Sequence, residues 1–243
     1  ISVVASYRLT MDYREDANLI EAILRVLGAD ASVDRIVEFI AARPWLLNMN
    51  KLPELSVYMC ARNAERWVGE AVRSVLKNAA VGEFVFVDDG STDETLSEFV
   101  KNADDPRAKL IINEQNIGLA SSSNRALSAC RGKYVMRIDA DDLLTAGAKM
   151  MIELLQEIRS GNHVVYPAFY EMSEDGRRLG LPVDPFIYHH VGGAIFDKKF
   201  IDELRFKEGL RNWDGLELHE RMKRAGAKIG YLSKPTWDYR PSR

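Results

Sequence analysis

Short apolar runs alternate with helix-patterned stretches along most of this chain, and that alternation restricts the folds open to it. From Leu52 onward, each run typical of a buried strand is followed by a segment with apolar residues at helical spacing. The predicted strands cover residues 55–60, 83–87, 109–112 and 133–138, and the predicted helices cover residues 68–77, 95–102, 119–130 and 143–158. Elements in this order form a mostly parallel sheet covered by helices on both faces. The sequence therefore predicts an α/β domain over residues 51–243.

Residues 1–50 differ from the rest and predict a small helical N-terminal extension. Apolar residues recur at helical spacing between Asn18 and Ala42. Gly28 interrupts this pattern, and Ser32 is placed to cap a second helix. We expect the extension to pack on the main domain as a structural cap. The alternative is a docking surface for a partner or for an extra domain.

Composition excludes several classes of protein. The 243 residues, 47% apolar and 28% charged, are enough for one α/β domain and a small appendage. A net charge of −3 argues against a nucleic-acid binder, which normally carries a basic excess. Cys60 and Cys130 have no metal-type spacing, which favours small buried residues in a reducing compartment over one disulfide. No apolar run reaches the roughly 18 residues that span a bilayer, and no signal peptide is visible. These features predict a protein of the cytoplasm or the membrane periphery.

Three carboxylates directly follow the last of the four predicted strands. Asp139, Asp141 and Asp142 stand within four positions, where the strand gives way to a loop. Carboxylates this close repel one another, and a hard divalent ion such as Mg²⁺ or Mn²⁺ would relieve that repulsion. The alternative is a solvated loop or a helix N-cap, since Asp142 precedes the predicted helix over residues 143–158.

A second carboxylate pair ends the predicted strand over residues 83–87. Asp88 and Asp89 begin a turn in which Ser91 and Glu94 match a helix capping box. The capping box accounts for the turn but leaves the two strand-end carboxylates unexplained. Ligands of parallel α/β sheets bind outside the carboxyl ends of the strands, so both acidic clusters should face one crevice. The turn at Gly118 leads into a helix whose free amides could approach a phosphate.

Four motifs, in this order and spacing, resemble the family 2 glycosyltransferases with the GT-A fold. They are the segments at residues 55–63, 87–94 (VDDGSTDE), 116–127 (NIGLASSSNRAL) and 137–142 (RIDADD). The resemblance covers residues 52–158, with a weaker continuation to Arg243. It implies a GT-A nucleotide-diphospho-sugar transferase fold. It also implies metal-dependent, inverting transfer of a hexosyl or N-acetylhexosaminyl group from a nucleotide-diphosphate sugar.

The resemblance also assigns roles to residues. Asp89 would hold the nucleoside base, with Asp88 beside it. Asp141 would lie closest to the metal ion, Mn²⁺ or Mg²⁺, and to the donor diphosphate. The predicted nucleotide-sugar-binding residues are Cys60, Arg62, Asn63, Asp88, Asp89, Gly118, Asn124, Arg137, Asp139, Ala140 and Arg240, and the predicted metal ligands are Asp141, Asp139 and His190.

The chain departs from the family pattern at two places. The family often has an arginine where this chain has Ser123, so a diphosphate contact is missing or comes from Arg125 or Arg137. The family also carries an acidic pair before a late helix, predicted here over residues 218–225. This chain has Asp214 alone, one position out of register, so Asp214 and Glu217 are both candidates for the catalytic base. Either carboxylate could instead be a helix-start charge favoured by the dipole.

Because of these departures, a non-catalytic nucleotide-sugar or glycan-binding module with the same fold is the alternative function. A haloacid dehalogenase phosphatase also begins with an acidic DxD after a strand, but it does not normally continue as Asp142-Leu143. A nucleotidyltransferase would need a glycine-rich loop after the first strand, which residues 60–63 do not provide. UDP is favoured as the nucleotide by its frequency in the family. The acceptor is expected to be a glycan, a lipid-linked molecule or a protein.

Overall fold

The computed structural model describes residues 23–42, 53–185, 190–210 and 214–241. The chain divides into two compact units, Ile1–Pro53 and Glu54–Arg243. Among the described residues, no helix is both long and apolar enough to cross a membrane.

In the first unit, residues 23–27 are helical and a second helix, α1, covers Val33–Ala41. Gly28 has a φ of +93°, a left-handed conformation that glycine adopts without strain, and it ends the first helix as the sequence predicts. Ser32 Oγ accepts a hydrogen bond from the Arg35 amide at 3.4 Å, which confirms the predicted cap of α1. The remaining parts of the predicted extension, residues 1–22 and 43–50, lie outside the described ranges.

The second unit is a mixed sheet with helices on both faces. Its strands are β1 (Leu55–Ala61), β2 (Glu83–Asp88), β3 (Ala108–Ile112), β4 (Tyr134–Arg137), β5 (Leu143–Leu144), β6 (Val164–Met172), β7 (Arg178–Val183), β8 (Ile195–Asp197) and β9 (Ile229–Tyr239). Its helices are α2 (Val68–Leu76), α3 (Thr95–Asn102), α4 (Leu119–Ala129), α5 (Ala148–Arg159), α6 (Lys198–Leu204) and α7 (Asp214–Arg224). The strand order is β3-β2-β1-β4-β8-β6-β9-β5, and β7 pairs with β6.

The first four strands form the predicted parallel half of the sheet, and their register brings the acidic clusters to one edge. Ala61 pairs with Asp88, Asp88 with Ile112, and Tyr58 with Arg137. The carboxyl ends of β1, β2 and β4 therefore meet where ligands of such sheets bind. The other half is mixed, because β8 pairs antiparallel with β4 and β6, while β6 and β9 run parallel.

Apolar side chains fill both faces of this sheet. Residues of β1 and β2 alternate, so Val57 and Phe86 join one cluster with α2 and α3, and Tyr58 and Val85 join another with α4. Every residue of β1, β2 and β4 is buried, as expected for strands covered on two sides. Cys60 and Cys130 belong to the second cluster and are free thiols, so the disulfide alternative is wrong.

The predicted helix over residues 143–158 begins later than the sequence indicates. Leu143 and Leu144 form β5, which pairs antiparallel with β9 at Asp238 and Trp237. Helix α5 starts only after Gly147. Pairing with a strand nearly a hundred residues away overrides the local helical pattern, and a single-sequence pattern does not contain that partner.

The predicted capping box at Ser91 and Glu94 is also wrong. The Glu94 amide donates to Glu65 Oε2 at 3.0 Å, and the Thr95 amide donates to Asp93 Oδ1 at 3.0 Å. Ser91 Oγ instead accepts from the Asn63 amide at 3.1 Å. Carboxylates from a neighbouring loop and from the turn itself thus accept hydrogen bonds from the amides at the start of α3. Ser91 instead fixes the segment that follows β1.

Candidate functional site

Arg137 lies at the centre of the acidic edge and binds two carboxylates. It is the last residue of β4, and its side chain is 7% exposed. Nε donates to Asp139 Oδ1 at 2.6 Å, and Nη1 donates to Asp214 Oδ2 at 2.8 Å. Burial alone would raise the pKa of Asp139, but the adjacent guanidinium outweighs it and lowers that pKa. The sequence predicts that Arg137 binds the nucleotide-sugar donor, but it does not indicate the pairing of Arg137 with Asp214.

The other two carboxylates of the loop are held in a less favourable environment. Burial, followed by repulsion from Asp139, raises the pKa of Asp141 to about 6. Asp142 is fully buried, and burial together with the two neighbouring carboxylates raises its pKa well above the usual range. Its Oδ1 accepts from the Arg240 amide at 2.9 Å, whereas Oδ2 has no hydrogen-bond partner among the described residues. Asp142 therefore caps no helix, and the predicted repulsion within the cluster is present.

The three predicted metal ligands do not form a complete site by themselves. Within the described ranges, no three carboxylate, imidazole or thiol groups come together closely enough to hold a metal ion. His190 packs against Trp237 and Tyr239, and its Nδ1 accepts from the Gly192 amide at 3.1 Å. Burial lowers the pKa of His190. The fit to Mg²⁺ or Mn²⁺ depends on Asp141 and Asp139, since such ions often take one or two carboxylates and complete their shell with water and phosphate oxygens.

Asp89 and Asp88, at the end of β2, differ in how many donors they meet. Asp89 is buried and accepts from Asn113 Nδ2 at 2.9 Å, from the Ile117 amide at 2.9 Å and from the Gly118 amide at 3.0 Å. These bonds close the loop between β3 and α4. Asp88 is also buried, and its Oδ1 has no hydrogen-bond partner in the part of the chain that the structure describes. The carboxylate oxygen left without a protein donor among the described residues is therefore on Asp88.

Other predicted donor-site residues support the edge from within. Asn63 has a φ of +51°, and its Oδ1 accepts from the Thr92 amide at 2.9 Å, which ties β1 to the turn after β2. Cys60 is buried, and burial raises the pKa of its thiol to about 12, so the thiol is neutral near pH 7. Arg62 is exposed at the same edge. Ala140 is buried in the apolar core.

The third motif faces the core more than the edge. Gly118, with a φ of +89°, begins α4 and donates to Asp89. Ser123 is fully buried, and its Oγ lies 3.9 Å from Cys60 Sγ. An arginine at this position would therefore have to enter the core. Asn124 Nδ2 donates to the Phe206 carbonyl at 2.9 Å, and its Oδ1 accepts from the Phe206 amide at 2.8 Å. Asn124 thereby joins α4 to the segment after α6.

Two of the predicted cations reach positions that the sequence does not indicate. Arg125 is exposed and donates to Asn113 Oδ1, in the loop that Asp89 closes. The Arg240 guanidinium is buried 3.9 Å from the centre of the Trp67 ring, and its Nη1 donates to the Asp141 carbonyl at 2.7 Å. Arg240 thus braces the acidic loop from behind, and Arg137 is the cation among its carboxylates.

The two candidate bases turn out to have different partners. Helix α7 begins at Asp214, four residues earlier than predicted, so both carboxylates stand in its first turn. Asp214 binds Arg137, whereas Glu217 accepts from Arg221 Nε at 2.8 and 2.9 Å. Arg221 also donates to the Leu204 carbonyl, so Glu217 belongs to a contact between α7 and the end of α6. Asp214 is the candidate that meets the acidic edge.

Two glycines allow the elements around this edge to approach closely, a feature that sequence reasoning missed. A Cβ on Gly215 would lie 2.8 Å from Val191 Cγ2, so α7 packs directly on the segment after His190. Gly193 has a φ of +74°, and a Cβ there would lie 2.1 Å from Trp237 Nε1. Its amide donates to the Arg137 carbonyl at 2.7 Å. In the sequence, the adjacent glycines Gly192 and Gly193 are the signal that could have indicated this close approach.

Comparison with known proteins places the chain among sugar-transferring enzymes. The sequence pattern of glycosyl transferase family 2 matches residues 56–219. An uncharacterized glycosyltransferase of Haemophilus influenzae is 33% identical over 124 residues, which are 50% of this chain and 38% of that protein. The chondroitin synthase of Escherichia coli is 35% identical over 102 residues, 41% of this chain and 15% of that protein. The chain thus spans well under two thirds of these relatives.

A solved structure shares the fold. The crystal structure of S. aureus TarS residues 1–349 in complex with UDP-GlcNAc superposes with a TM-score of 0.64 at 21% identity. The superposition covers 78% of this chain and 59% of that one. At this identity the likeness shows the fold alone.

Proposed function

Since the chain belongs to glycosyl transferase family 2, with the GT-A fold that its four motifs predict, we propose that it transfers a sugar from a nucleotide-diphosphate donor to an acceptor hydroxyl. We further propose that transfer depends on a divalent ion and inverts the anomeric carbon. One observation carries this proposal: the Asp139–Asp142 loop and Asp214 come from distant parts of the chain and meet at Arg137, on the carboxyl edge of the sheet.

The nucleoside is proposed to bind at the ends of β1 and β2. Asp88 has a buried oxygen without a donor among the described residues there, and Asp89 holds the neighbouring loop in place. A buried carboxylate oxygen without a donor is costly unless a ligand supplies one. The solved complexes of TarS with UDP and with UDP-GlcNAc are the reason to test UDP donors first, including donors with an N-acetylhexosaminyl group.

Asp141, supported by Asp139, is proposed to hold Mn²⁺ or Mg²⁺. The raised pKa of Asp141, caused by burial and by Asp139, reflects charge that a cation would neutralise. When bound, the ion would offset the charge that develops on the leaving diphosphate. Asp139 keeps its charge through Arg137, whereas the structure gives Asp141 no ion pair among the described residues.

Asp214 is proposed to remove the proton from the acceptor hydroxyl. The anomeric carbon gains oxocarbenium character as the donor bond breaks, and inversion requires the acceptor oxygen to attack from the opposite face. A base for that step must be separate from the metal-binding carboxylates. Asp214 meets this condition, since it lies on α7 and is linked to the loop through Arg137.

The test is donor binding and donor hydrolysis, which need no knowledge of the acceptor. We expect UDP-sugars to bind by titration calorimetry in Mn²⁺ but not in EDTA, and slow Mn²⁺-dependent release of UDP. Asp141→Asn should abolish the metal-dependent binding while the melting temperature remains close to that of the unaltered chain. Equal donor affinity in EDTA and in Mn²⁺ would contradict the metal-dependent mechanism. Binding without hydrolysis or transfer to any acceptor would favour a non-catalytic module.

A further inference from the structure

One buried guanidinium serves two carboxylates that have different proposed tasks. Arg137 gives Nε and Nη2 to Asp139, at 2.6 and 3.2 Å, and Nη1 to Asp214, at 2.8 Å. Its side chain is 7% exposed, against 23% for Asp139 and 20% for Asp214. The cation is therefore enclosed, and both of its partners face the edge where ligands bind.

Arg137 has little freedom to leave this position. It ends β4, which lies between β1 and β8 in the interior of the sheet. Its carbonyl accepts from the Gly193 amide at 2.7 Å, so its backbone is also fixed on the side of residues 190–193. A guanidinium held in this way can redistribute its hydrogen bonds between its two partners but cannot move far from either.

We propose that Arg137 is a positioning residue that couples the donor side of the site to its acceptor side. It holds the Asp214 carboxylate towards the acceptor hydroxyl, and its contact with Asp139 sets how readily that carboxylate binds a divalent ion. This inference rests on the proposed function, because it takes Asp139 as a metal ligand and Asp214 as the base.

Electrostatics gives the direction of the coupling. A guanidinium and a divalent cation on the same carboxylate repel each other. A cation bound to Asp139 therefore shifts Arg137 towards Asp214. Conversely, if Asp214 loses its charge, Arg137 is left with Asp139 as its anionic partner, and that carboxylate binds a cation less well. Coupling between two binding events is reciprocal, so a change on the acceptor side must appear as a change in metal affinity.

The test measures Mn²⁺ affinity in the Asp214→Asn variant. Titration calorimetry with Mn²⁺ in the presence of UDP should show about a five-fold weaker affinity than in the unaltered chain, at the low end of typical coupling. The matched control is Glu220→Gln. Glu220 lies on the same helix and is bonded to Lys223, so this variant makes the same charge change away from Arg137. It should leave Mn²⁺ affinity unchanged.

A double-mutant cycle assigns the effect to Arg137. Arg137→Lys keeps the charge but removes the two-bond fork to Asp139, so adding Asp214→Asn to it should change Mn²⁺ affinity by less than two-fold. If Arg137→Lys does not fold, the ¹⁵N resonance of the Arg137 guanidinium replaces it. That resonance should shift in the unaltered chain when Mg²⁺ is added, and it should also differ in Asp214→Asn.

The outcomes separate the two levels of the proposal. Unchanged Mn²⁺ affinity in Asp214→Asn, in a chain whose UDP binding depends on Mn²⁺, overturns the coupling and leaves the proposed function in place. An about five-fold loss of Mn²⁺ affinity on adding Asp214→Asn that persists in the Arg137→Lys background, or a guanidinium resonance that shifts in neither case, overturns the role of Arg137. Absence of Mn²⁺ binding to the unaltered chain overturns the coupling and the metal-dependent function together.

Discussion

Asp88 and Asp89 are adjacent carboxylates with opposite roles in the structure. Successive residues at a strand end point in different directions, so one of the pair can close a loop while the other remains open. Asp89 accepts three hydrogen bonds from the loop between β3 and α4, and Asp88 keeps an oxygen with no donor in the described chain. The sequence identifies the pair but not which member already has its donors within the protein.

We therefore predict that Asp88→Asn weakens UDP binding and that Asp89→Asn mainly lowers stability. Loss of a buried charge-assisted hydrogen bond costs roughly 1.5–3 kcal/mol, which is about ten- to a hundred-fold in affinity. In Asp89→Asn the new amide group would face donors such as the Gly118 amide, which opens the loop. Titration calorimetry with UDP and thermal melting of both variants check this. Unchanged UDP affinity in Asp88→Asn, with a large loss in a fully stable Asp89→Asn, would reverse the assignment.

The contacts of Asp214 and Glu217 also distinguish these two candidate bases, which the sequence alone could not distinguish. We predict that Asp214→Asn lowers the transfer rate by about 10²–10⁴, the usual effect of losing a general base. Glu217→Gln should instead lower the melting temperature, because Arg221 Nε loses the carboxylate that accepts from it, and should change the transfer rate only a few-fold.

Initial rates at saturating donor and acceptor measure the two effects. A slow Glu217→Gln enzyme beside a normal Asp214→Asn enzyme would make Glu217 the base. Normal rates in both variants would mean that the proposed inverting mechanism is wrong.

At the scale of elements, Glu83 joins β1, β2, β3 and the turn before β4. Its side chain is 2% exposed, and its carboxylate accepts from Ser56 Oγ at 2.5 Å, from the Arg131 amide at 2.7 Å and from Lys109 Nζ at 2.5 Å. Burial opposes ionisation, but these hydrogen bonds outweigh it and lower the pKa of Glu83. A lowered pKa means that the stabilisation is present above the unfolded-state pKa and is lost as pH falls through the folded-state pKa.

Glu83→Gln should therefore reduce the free energy of unfolding at pH 7 by roughly 1–3 kcal/mol. The difference from the unaltered chain should shrink as the solution is acidified below about pH 4, near the unfolded-state pKa of glutamate. Urea unfolding curves at pH 7 and at successively lower pH values provide the measurement. A stability difference that stays constant across this range would show that the charge of Glu83 is not responsible.

The parallel half of the sheet could be predicted from sequence, and the mixed half could not. Strands β1 to β4 are continuous apolar runs separated by helices, so their type and direction follow from local pattern. Strand β5 has two residues, Leu143 and Leu144, and exists only because β9 pairs with it. The same limit applies to the site: the acidic motifs are local signals, but the Arg137–Asp214 contact joins residues 77 positions apart.

At the scale of the whole molecule, the chain forms two units, and the acidic edge belongs entirely to Glu54–Arg243. We predict that removing residues 1–50 leaves UDP affinity within a few-fold of the full chain but promotes aggregation. The apolar residues of that segment recur at helical spacing, which predicts that the segment covers an apolar surface. Its removal should expose that surface, and exposed apolar patches drive association. Calorimetry with UDP and light scattering on the shortened chain test both parts. A shortened chain that is soluble and equally stable would indicate an independent module instead.

The brace that Arg240 provides has a consequence for the order in which the protein is made. Its amide and guanidinium bond to Asp142 and Asp141, 98 and 99 residues earlier in the chain. A ribosome adds roughly 5–20 residues per second, so the acidic loop waits about 5–20 seconds for this support. During that interval the nascent chain carries the proposed metal-binding motif without the support of Arg240, and that support forms only after β9 has been synthesised.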